Sequence, residues 1–226
     1  ISPLDRQGLI EFEPGPPARW RFIANAGDGR TVEIQLEVDM LEGSNTTILR
    51  FSRPEVAPSM GRDLPDSCDV RLTVRMDLED RNFHWETQRN PGADLHFASH
   101  CRVSKEGAGF DFTPAPDRQL RVFTENGSYH HEAEWCEGIP HPVEQTRGQT
   151  GQGDAYSPGW FDLPLAKGGN ALLVASADRE TPDLKVIRKF AEIRQKTNTA
   201  ICNQPWVDAK DTFGLQLIKA ARAFVV

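Results

Sequence analysis

The sequence predicts a mainly β protein: a large two-sheet antiparallel β-sandwich, or supersandwich, followed by linker helices at its C-terminus. Apolar and polar residues alternate without interruption along residues 32–40 and again along residues 70–78. Such alternation packs one face of a strand on a core and leaves the other face in water, as in antiparallel sheets. From Thr181 onward the apolar residues recur at helical spacing instead. About a dozen predicted strands are too many for a small immunoglobulin-like sandwich, so we expect a larger one.

The other strands are predicted from short apolar or alternating runs bounded by turn residues. They are residues 9–13, 19–24, 46–52, 82–87, 94–103, 109–113, 118–124, 128–135, 160–165 and 170–176. The outer face of residues 32–40 is acidic and that of residues 70–78 is largely basic. Since opposite charges favour strand pairing, we predict that these two strands are neighbours.

Two helices are predicted after the strands. Thr181 is the expected N-cap of the first, with Pro182 at its first position and an end near Lys196. The second is expected to run from about Asp208 to the last residue, with an apolar stripe along one side. We therefore divide the chain into a β-supersandwich domain at residues 1–177 and a helical linker at residues 178–226.

Composition excludes some partners. The chain has 226 residues, a net charge of −7 and a pI near 5.4, which argues against a nucleic-acid backbone or an anionic membrane surface as partner. No apolar run predicts a membrane helix or a signal peptide. The four cysteines are far apart, so we expect free, mostly buried thiols in a reducing, cytoplasmic setting. The apolar run at residues 223–226 and the missing initiator Met lead us to expect a fragment of a longer protein.

The most informative stretch is residues 144–162, which begins as a polar, glycine-rich loop. It contains Arg147 and Asp154, and we predict that these two side chains order the loop through a charge-assisted pair. A Ser-Pro-Gly turn at residues 157–159 leads into the next predicted strand. Contact between Arg147 and a substrate is the less favoured interpretation.

Aromatic residues lie near this loop and suggest a second role. Trp135, Tyr156 and Trp160 stand beside polar residues, and neutral sugars bind by stacking on flat aromatic rings with polar groups around them. Packing in the core or against another domain is the commoner use of such side chains. The sequence leaves both interpretations open.

Neither a catalytic pair nor a metal site is predicted. Glycoside hydrolysis needs two carboxylates on either side of the sugar, one of them with a raised pKa. Residues 130–154 contain five acidic side chains, but their spacing selects no pair. On a strand, His96 and His100 would lie about 13 Å apart, too far to share one ion. No phosphate-binding loop or nucleophile motif is present, so no cofactor is predicted.

Four segments together carry a family resemblance. They are Arg81-Asn82-Phe83-His84, Trp135-Cys136, Glu144 with Arg147-Gly148, and Gly153-Asp154-Ala155-Tyr156-Ser157-Pro158-Gly159. In this order they resemble the N-terminal domain of bacterial and archaeal glycogen debranching enzymes of the amylo-α-1,6-glucosidase type. The run from Asp154 to Gly159 is the most specific part. Asn82 and Gly153 depart from the family pattern, which has a carboxylate at both positions.

The resemblance implies a β-supersandwich leading into an (α/α)6 catalytic barrel that lies outside these residues. The whole enzyme would be a glycoside hydrolase that removes α-1,6 branch glucose from glycogen or limit dextrin without a metal, with its catalytic carboxylates in the barrel. This chain would then be non-catalytic, packing on the barrel and helping to shape the site for the branched α-glucan. The residues expected to contact substrate or barrel are His84, Trp135, Arg147, Asp154, Tyr156 and Trp160.

Three other functions remain open at this point. A self-contained carbohydrate-binding module would use the three aromatic residues as a platform. A complete small hydrolase would use acidic residues within 130–154. A purely structural domain would do neither.

Overall fold

The computed structural model describes residues 8–82, 85–105, 108–208 and 210–222. It confirms the fold class, because the chain is mainly β, with 42% strand and 21% helix, and its arrangement of antiparallel sheets is consistent with a β-sandwich. The chain divides into two compact units. The first combines the residues up to Asp69 with those from Leu165 onward, and the second is Val70–Pro164.

The elements are as follows in chain order. The strands are β1 (Leu9–Glu13), β2 (Ala18–Gly27), β3 (Arg30–Met40), β4 (Thr46–Ser52), β5 (Arg62–Asp63), β6 (Arg71–Arg75), β7 (Cys101–Val103), β8 (Ala108–Ala115), β9 (Arg118–Thr124), β10 (Ser128–His130), β11 (Glu134–Pro140), β12 (Gln152–Ser157), β13 (Trp160–Pro164) and β14 (Asn170–Ser176). The helices are α1 (Pro91–His100), α2 (Pro142–Thr146), α3 (Leu184–Cys202) and α4 (Thr212–Arg222).

In the first unit, antiparallel strands follow the order β1-β2-β3-β4-β14, and the short β5 pairs in parallel with β3. Ile48 on β4 and Leu173 on β14 are fully buried, so this part of the sheet supports the core. The predicted strands 9–13, 46–52 and 170–176 have the bounds that the structure shows. For these three strands, side-chain alternation or apolar character was therefore enough to predict the bounds.

The predicted pairing of residues 32–40 with residues 70–78 is wrong. β3 lies between β2 and β4, whereas β6 pairs with β13. Two acidic side chains of β3 pair with arginines of β2: Glu33 Oε1 lies 2.9 Å from Arg21 Nε, and Glu37 Oε1 lies 2.7 Å from Arg19 Nε. The opposite charges of residues 32–40 and 70–78 therefore did not identify neighbouring strands, because β2, which pairs with β3, also supplies basic side chains.

Helix α3 is anchored to the first unit. It starts later than predicted, since the side chain of Asp183, not that of Thr181, caps it by accepting a 2.8 Å hydrogen bond from the Lys185 N–H. Arg194 on α3 forms a two-pronged ion pair with the buried Asp39 of β3, with N···O distances of 2.8 and 2.9 Å. The helix therefore packs on the sheet. The domain boundary at residue 177 stays a prediction.

The second unit holds the antiparallel strand run β9-β8-β7 and two small antiparallel sheets, ordered β10-β13-β6 and β11-β12. Phe110 of β8 and Phe161 of β13 are fully buried, with ring centroids 6.3 Å apart. Rings from two sheets thus meet in one core.

The predicted strand at residues 94–103 is wrong for most of its length, because α1 runs to His100 and only β7 is extended. The preceding Asn-Pro-Gly is a turn signal in the sequence, but here it starts a helix. The Asn90 side chain accepts 3.0 Å hydrogen bonds from the N–H groups of Gly92 and Ala93, and proline is tolerated in the first helical turn.

Two further predictions need correction. Of the predicted strand at residues 82–87, residues 83 and 84 lie outside the described part, and the others form no strand. The Asn82 carbonyl accepts a 2.9 Å hydrogen bond from the Trp85 N–H. The predicted strand at residues 128–135 is divided between β10 and the start of β11.

The four cysteines are free, although only Cys101 is buried and the other three are partly exposed. The expectation that most of the thiols are buried is therefore wrong. Within the described residues, no helix combines the length and apolar character needed to cross a membrane.

Candidate functional site

The stretch at residues 144–162 is more regular than predicted. Helix α2 ends at Thr146, and β12 begins at Gln152, so the glycine-rich segment is a short connection rather than a long loop. Strand β12 pairs with β11, with Tyr156 opposite Trp135. Tyr156 also exchanges both backbone hydrogen bonds with Leu78, at 2.8 and 3.0 Å. Strand β12 therefore has hydrogen-bonded backbone neighbours on two sides within the second unit.

Asp154 connects three segments of that unit. Its carboxylate oxygens accept 2.8 Å hydrogen bonds from the N–H groups of Arg89 and Gly138. Its own N–H donates to the Thr87 carbonyl at 2.7 Å. The hydrogen bonds from Arg89 and then from Gly138 favour the ionised carboxylate, so they lower the pKa of Asp154. Asp154 therefore acts as a fixed anion that orders the backbone.

The predicted pair between Arg147 and Asp154 is wrong. Arg147 is the C-cap of α2, and its Nη1 lies 3.4 Å from Glu144 Oε1, one turn earlier, with 68% of the Arg147 side chain exposed. The acceptor positions of Asp154 are taken by backbone donors. Residues three apart on a helix are neighbours, which places Arg147 beside Glu144.

Trp135 and Tyr156 belong to an aromatic cluster with Phe97 and Phe112. The rings of Trp135 and Tyr156 meet edge to face with centroids 5.4 Å apart, and Phe97 stacks on Tyr156 at 5.2 Å. Trp135 Nε1 donates to Asp94 Oδ1 at 2.5 Å. Burial raises the pKa of the Tyr156 phenol. These two residues therefore pack the unit together, as the structural interpretation expected.

Trp160 lies on a different sheet from Trp135, at the start of β13. Its indole stacks on the His130 imidazole with ring centroids 3.9 Å apart and planes 12° apart. Its Nε1 donates to Glu132 Oε2 at 3.1 Å. The three aromatic residues of the predicted platform therefore do not share one stacking surface, since Trp135 pairs with Tyr156 and Trp160 pairs with a histidine.

His84, the remaining candidate, lies outside the described residues. Beside it, Arg81 Nη1 donates to the Trp85 carbonyl at 2.8 Å, and Trp85 is 73% exposed.

The histidines of α1 are closer than predicted. His96 and His100 are one helical turn apart, with ring centroids 4.7 Å apart, because this segment is a helix. His96 Nε2 lies 3.1 Å from Asp80 Oδ2. Across the described ranges, no three His, Cys, Asp or Glu side chains are arranged to hold a metal ion.

The five acidic candidates within residues 130–154 all have partners. Their partners are Trp160 for Glu132, Arg75 for Glu134, Arg89 for Glu137, Arg147 for Glu144 and two backbone N–H groups for Asp154. Of the five, Asp154 has a pKa lowered by its hydrogen bonds from the Arg89 and Gly138 N–H groups, which is the opposite of what a general acid requires.

Asp77 differs from these five carboxylates. Desolvation raises its pKa, the nearby Arg75 lowers it, and Glu134 raises it again. Asp77 is nevertheless an exposed residue, so water limits the desolvation. Of the carboxyl groups named here, Asp77 is the one whose pKa is raised.

Sequence reasoning missed a small buried polar group beside Gly153. Glu86 Oε2, Thr87 Oγ1 and His141 Nε2 are buried without a hydrogen-bond partner, and the Glu86 and His141 atoms lie 3.9 Å apart. A Cβ on Gly153 would lie 3.0 Å from Glu86 Oε2 and 3.3 Å from His141 Nε2. The absence of a side chain at position 153 therefore leaves room for Glu86 and His141. In the sequence, Gly153 itself is the residue that could have indicated this group.

Comparison with known proteins assigns the family. Two solved structures share a weak likeness: a crystal structure of heparinase III (12% identity, 74% of this chain, 20% of that chain, TM-score 0.34) and a second heparinase III gene product (10%, 77%, 22%, TM-score 0.38). The chain thus spans about a fifth of each, and at these scores the likeness carries no argument. Curated protein sequences give no match. The family described as "Glycogen debranching enzyme N terminal" matches residues 2–172, and the chain therefore belongs to that family.

Proposed function

We propose that the chain is the non-catalytic N-terminal domain of a glycogen debranching enzyme of the amylo-α-1,6-glucosidase type. A catalytic domain in the same polypeptide would hydrolyse the α-1,6-linked branch glucose of glycogen or limit dextrin. The family match over residues 2–172 is the observation that carries this proposal.

The chemistry of the second unit supports a non-catalytic role. A glycosidase needs one carboxylic acid kept protonated near neutral pH and a second carboxylate across the sugar. Asp154 has a lowered pKa, and the other acidic candidates of residues 130–154 are paired with basic groups or with an indole N–H. The most specific part of the family motif therefore orders the unit.

The C-terminal helices offer a surface for the catalytic domain. Phe213 and Leu217 lie one turn apart on α4 and are 70% and 54% exposed. Apolar side chains exposed on one helix commonly pack on another part of the same protein. The four free thiols suit a reducing compartment, and we propose a cytoplasmic location.

The test compares glucose release from limit dextrin by three samples: residues 1–226 alone, the complete polypeptide of the same gene, and that polypeptide without residues 1–226. We expect no glucose from the first, full activity from the second and reduced activity from the third. Glucose release by residues 1–226 alone would refute the proposal, as would a complete polypeptide with no activity on limit dextrin.

A second candidate function is a self-contained carbohydrate-binding module. The observation in its favour is the stacked pair of Trp160 and His130, since His130 is exposed. Such a module would bind glucan tightly alone, and removing it from the complete polypeptide would leave the rate on short, soluble substrates unchanged.

A further inference from the structure

A polar cavity of about 410 Å³ lies between the end of α1 and the strands β7, β8 and β9, entirely within the second unit. Of the described residues that line it, Val103 is the one apolar residue. A cavity of this volume accommodates a small molecule, and so polar a lining favours a polar one. We call it the basic cavity, after its cationic side chains Arg102, Lys105 and Arg121.

Strand register brings the charges of the basic cavity together. Arg102 of β7 lies opposite Asp111 of β8, and Asp111 lies opposite Arg121 of β9. The carboxylate pairs with one of these two arginines, since Arg121 Nε donates to Asp111 Oδ1 at 2.7 Å. Among the described lining residues Asp111 is the one carboxylate, so Arg102 and Lys105 have no counter-charge within the cavity.

The basic cavity therefore has a surplus of positive charge. Three cationic side chains and one carboxylate line it, which leaves two positive charges in excess, although the whole chain has a net charge of −7. The C-terminal end of α1 opposes this with roughly half a negative charge. That effect is partly offset, because His100 Nδ1 lies 2.6 Å from the His96 carbonyl near the helix end. The excess of cations is larger, so the cavity favours an anion.

The size of the excess selects the kind of anion. A phosphate group carries about −1.5 to −2 charges at pH 7 and has three strong acceptor oxygens. A carboxylate carries a single charge and would leave one of the two cations without a partner. The planar guanidinium of Arg102 matches phosphate oxygens with two parallel N–H donors, and the hydroxyls of Ser104 and Thr113 line the same cavity. A small phosphate-bearing molecule therefore fits the charge and the lining.

We propose that the basic cavity binds the phosphate group of a small molecule, as free phosphate or as a phosphate monoester. Arg102 supplies a forked pair of donors, Lys105 a second positive charge, and Ser104 and Thr113 hydroxyl donors. Such a site goes beyond the proposed function and does not depend on it.

The test measures the binding of glucose 6-phosphate and of orthophosphate to the full 226-residue chain by isothermal titration calorimetry. Glucose is the uncharged control. We expect a Kd of about 1 mM or tighter for at least one of the two phosphate probes and much weaker binding of glucose. Because the ligand binds the folded chain, the same probe should also raise Tm.

Substitutions identify the cavity as the place of binding. Arg102→Ala, at an exposed position, should weaken binding of the phosphate probe about tenfold, whereas Arg102→Lys keeps the charge and should retain part of the affinity. Arg30→Ala, at an exposed position of β3 in the first unit, is the matched control and should leave the affinity unchanged. Circular dichroism checks that each variant is folded.

A gain in affinity separates binding from damage to the fold. Asp111→Asn removes the carboxylate of the basic cavity, so phosphate should bind about twofold to threefold more tightly, because one repulsive charge is lost. A variant that only weakened the local structure would bind phosphate less tightly.

Each outcome decides the inference. Weaker binding in Arg102→Ala and tighter binding in Asp111→Asn, with Arg30→Ala unchanged, supports it. Tighter binding of glucose 6-phosphate than of orthophosphate then assigns a monoester, and orthophosphate binding at least as tightly assigns free phosphate. The inference is overturned by wild-type binding that does not saturate below about 10 mM, by glucose binding as tightly as glucose 6-phosphate, or by an affinity that Arg102→Ala leaves unchanged. None of these results depends on glucose release, which tests the proposed function separately.

Discussion

Replacing Asp154 with asparagine tests whether its charge holds the motif in place. The carboxylate accepts backbone hydrogen bonds from Arg89 and Gly138, both at 2.8 Å. Asparagine has nearly the same shape but keeps only one acceptor, and its amide N–H₂ group faces the second donor. The variant therefore removes one hydrogen bond and the charge that strengthens the other.

The size of the effect follows from these two contacts. Hydrogen bonds to charged groups contribute about 1.5–3 kcal/mol each, but Arg89 and Gly138 are exposed residues, where water competes. We therefore expect Asp154→Asn to lower the free energy of unfolding by about 1–2 kcal/mol. For a chain of this length that corresponds to a fall in Tm of roughly 2–6 °C.

The effect depends on pH in a defined direction. The pKa of Asp154 is lowered in the folded state from its ordinary value of 3.8. Its contribution to stability is therefore complete above the unfolded pKa and is lost as the pH falls through the lower, folded pKa. The difference in Tm between wild type and Asp154→Asn should be full at neutral pH and should shrink below about pH 4.

Thermal unfolding followed by circular dichroism at neutral and acidic pH measures both effects. Arg147→Ala is the control within the same motif, since Arg147 is exposed and pairs with the exposed Glu144, and it should change stability by less than about 0.5 kcal/mol. The reasoning is refuted if Asp154→Asn unfolds like the wild type at neutral pH. An equal loss in Arg147→Ala would also refute it.

Three further predictions concern packing. Gly153→Ala should lower the free energy of unfolding by about 1–3 kcal/mol, because its Cβ would lie 3.0 Å from the buried Glu86 Oε2. Denaturant unfolding measures this loss. Arg194→Ala should lower the free energy of unfolding by about 2–4 kcal/mol, because it leaves Asp39, whose side chain is 3% exposed, without its cation. Denaturant unfolding measures this loss as well. Cys101 should resist alkylation in the native chain at pH 8, because burial raises its pKa to about 12, and mass spectrometry identifies the labelled site.

Each of these predictions has an internal control. Gly151→Ala places its Cβ against the flexible Gln145 side chain and should cost less than Gly153→Ala. Lys196→Ala, at an exposed position of α3, should be nearly neutral. Cys68 is partly exposed and should be alkylated before Cys101. A reversed order in any of these comparisons contradicts the packing described.

The strands were predictable where side-chain alternation recorded their burial. Residues 118–124 and 46–52 were located with their bounds, because one face of each strand packs on a core. Helix α1 was missed, since Asn-Pro-Gly is a turn signal and a helix-start signal alike. Only the hydrogen bonds that the Asn90 side chain accepts from the Gly92 and Ala93 N–H groups distinguish the two, and they exist once the helix has formed.

The site was predictable in position but not in its contacts. The stretch around Asp154 does connect the second unit, yet its partner Arg89 lies 65 residues away, and no spacing rule reaches that far. The stacking of Trp160 on His130 depends on strand register, which the sequence leaves free. Long-range pairing therefore decided which of the candidate residues meet.

The measurement that tests the central claim most directly is the rate of glucose release by the complete polypeptide carrying Asp77→Asn. Among the described residues of the second unit, Asp77 is a carboxyl group whose pKa is raised, so it is the one to test as a catalytic acid. A non-catalytic chain predicts that kcat on limit dextrin stays within about threefold of the wild type, since general acid catalysis contributes about 10²–10⁴-fold where it operates. A fall in kcat of about a hundredfold or more, in a variant that still folds, would place catalysis in this chain and contradict the account.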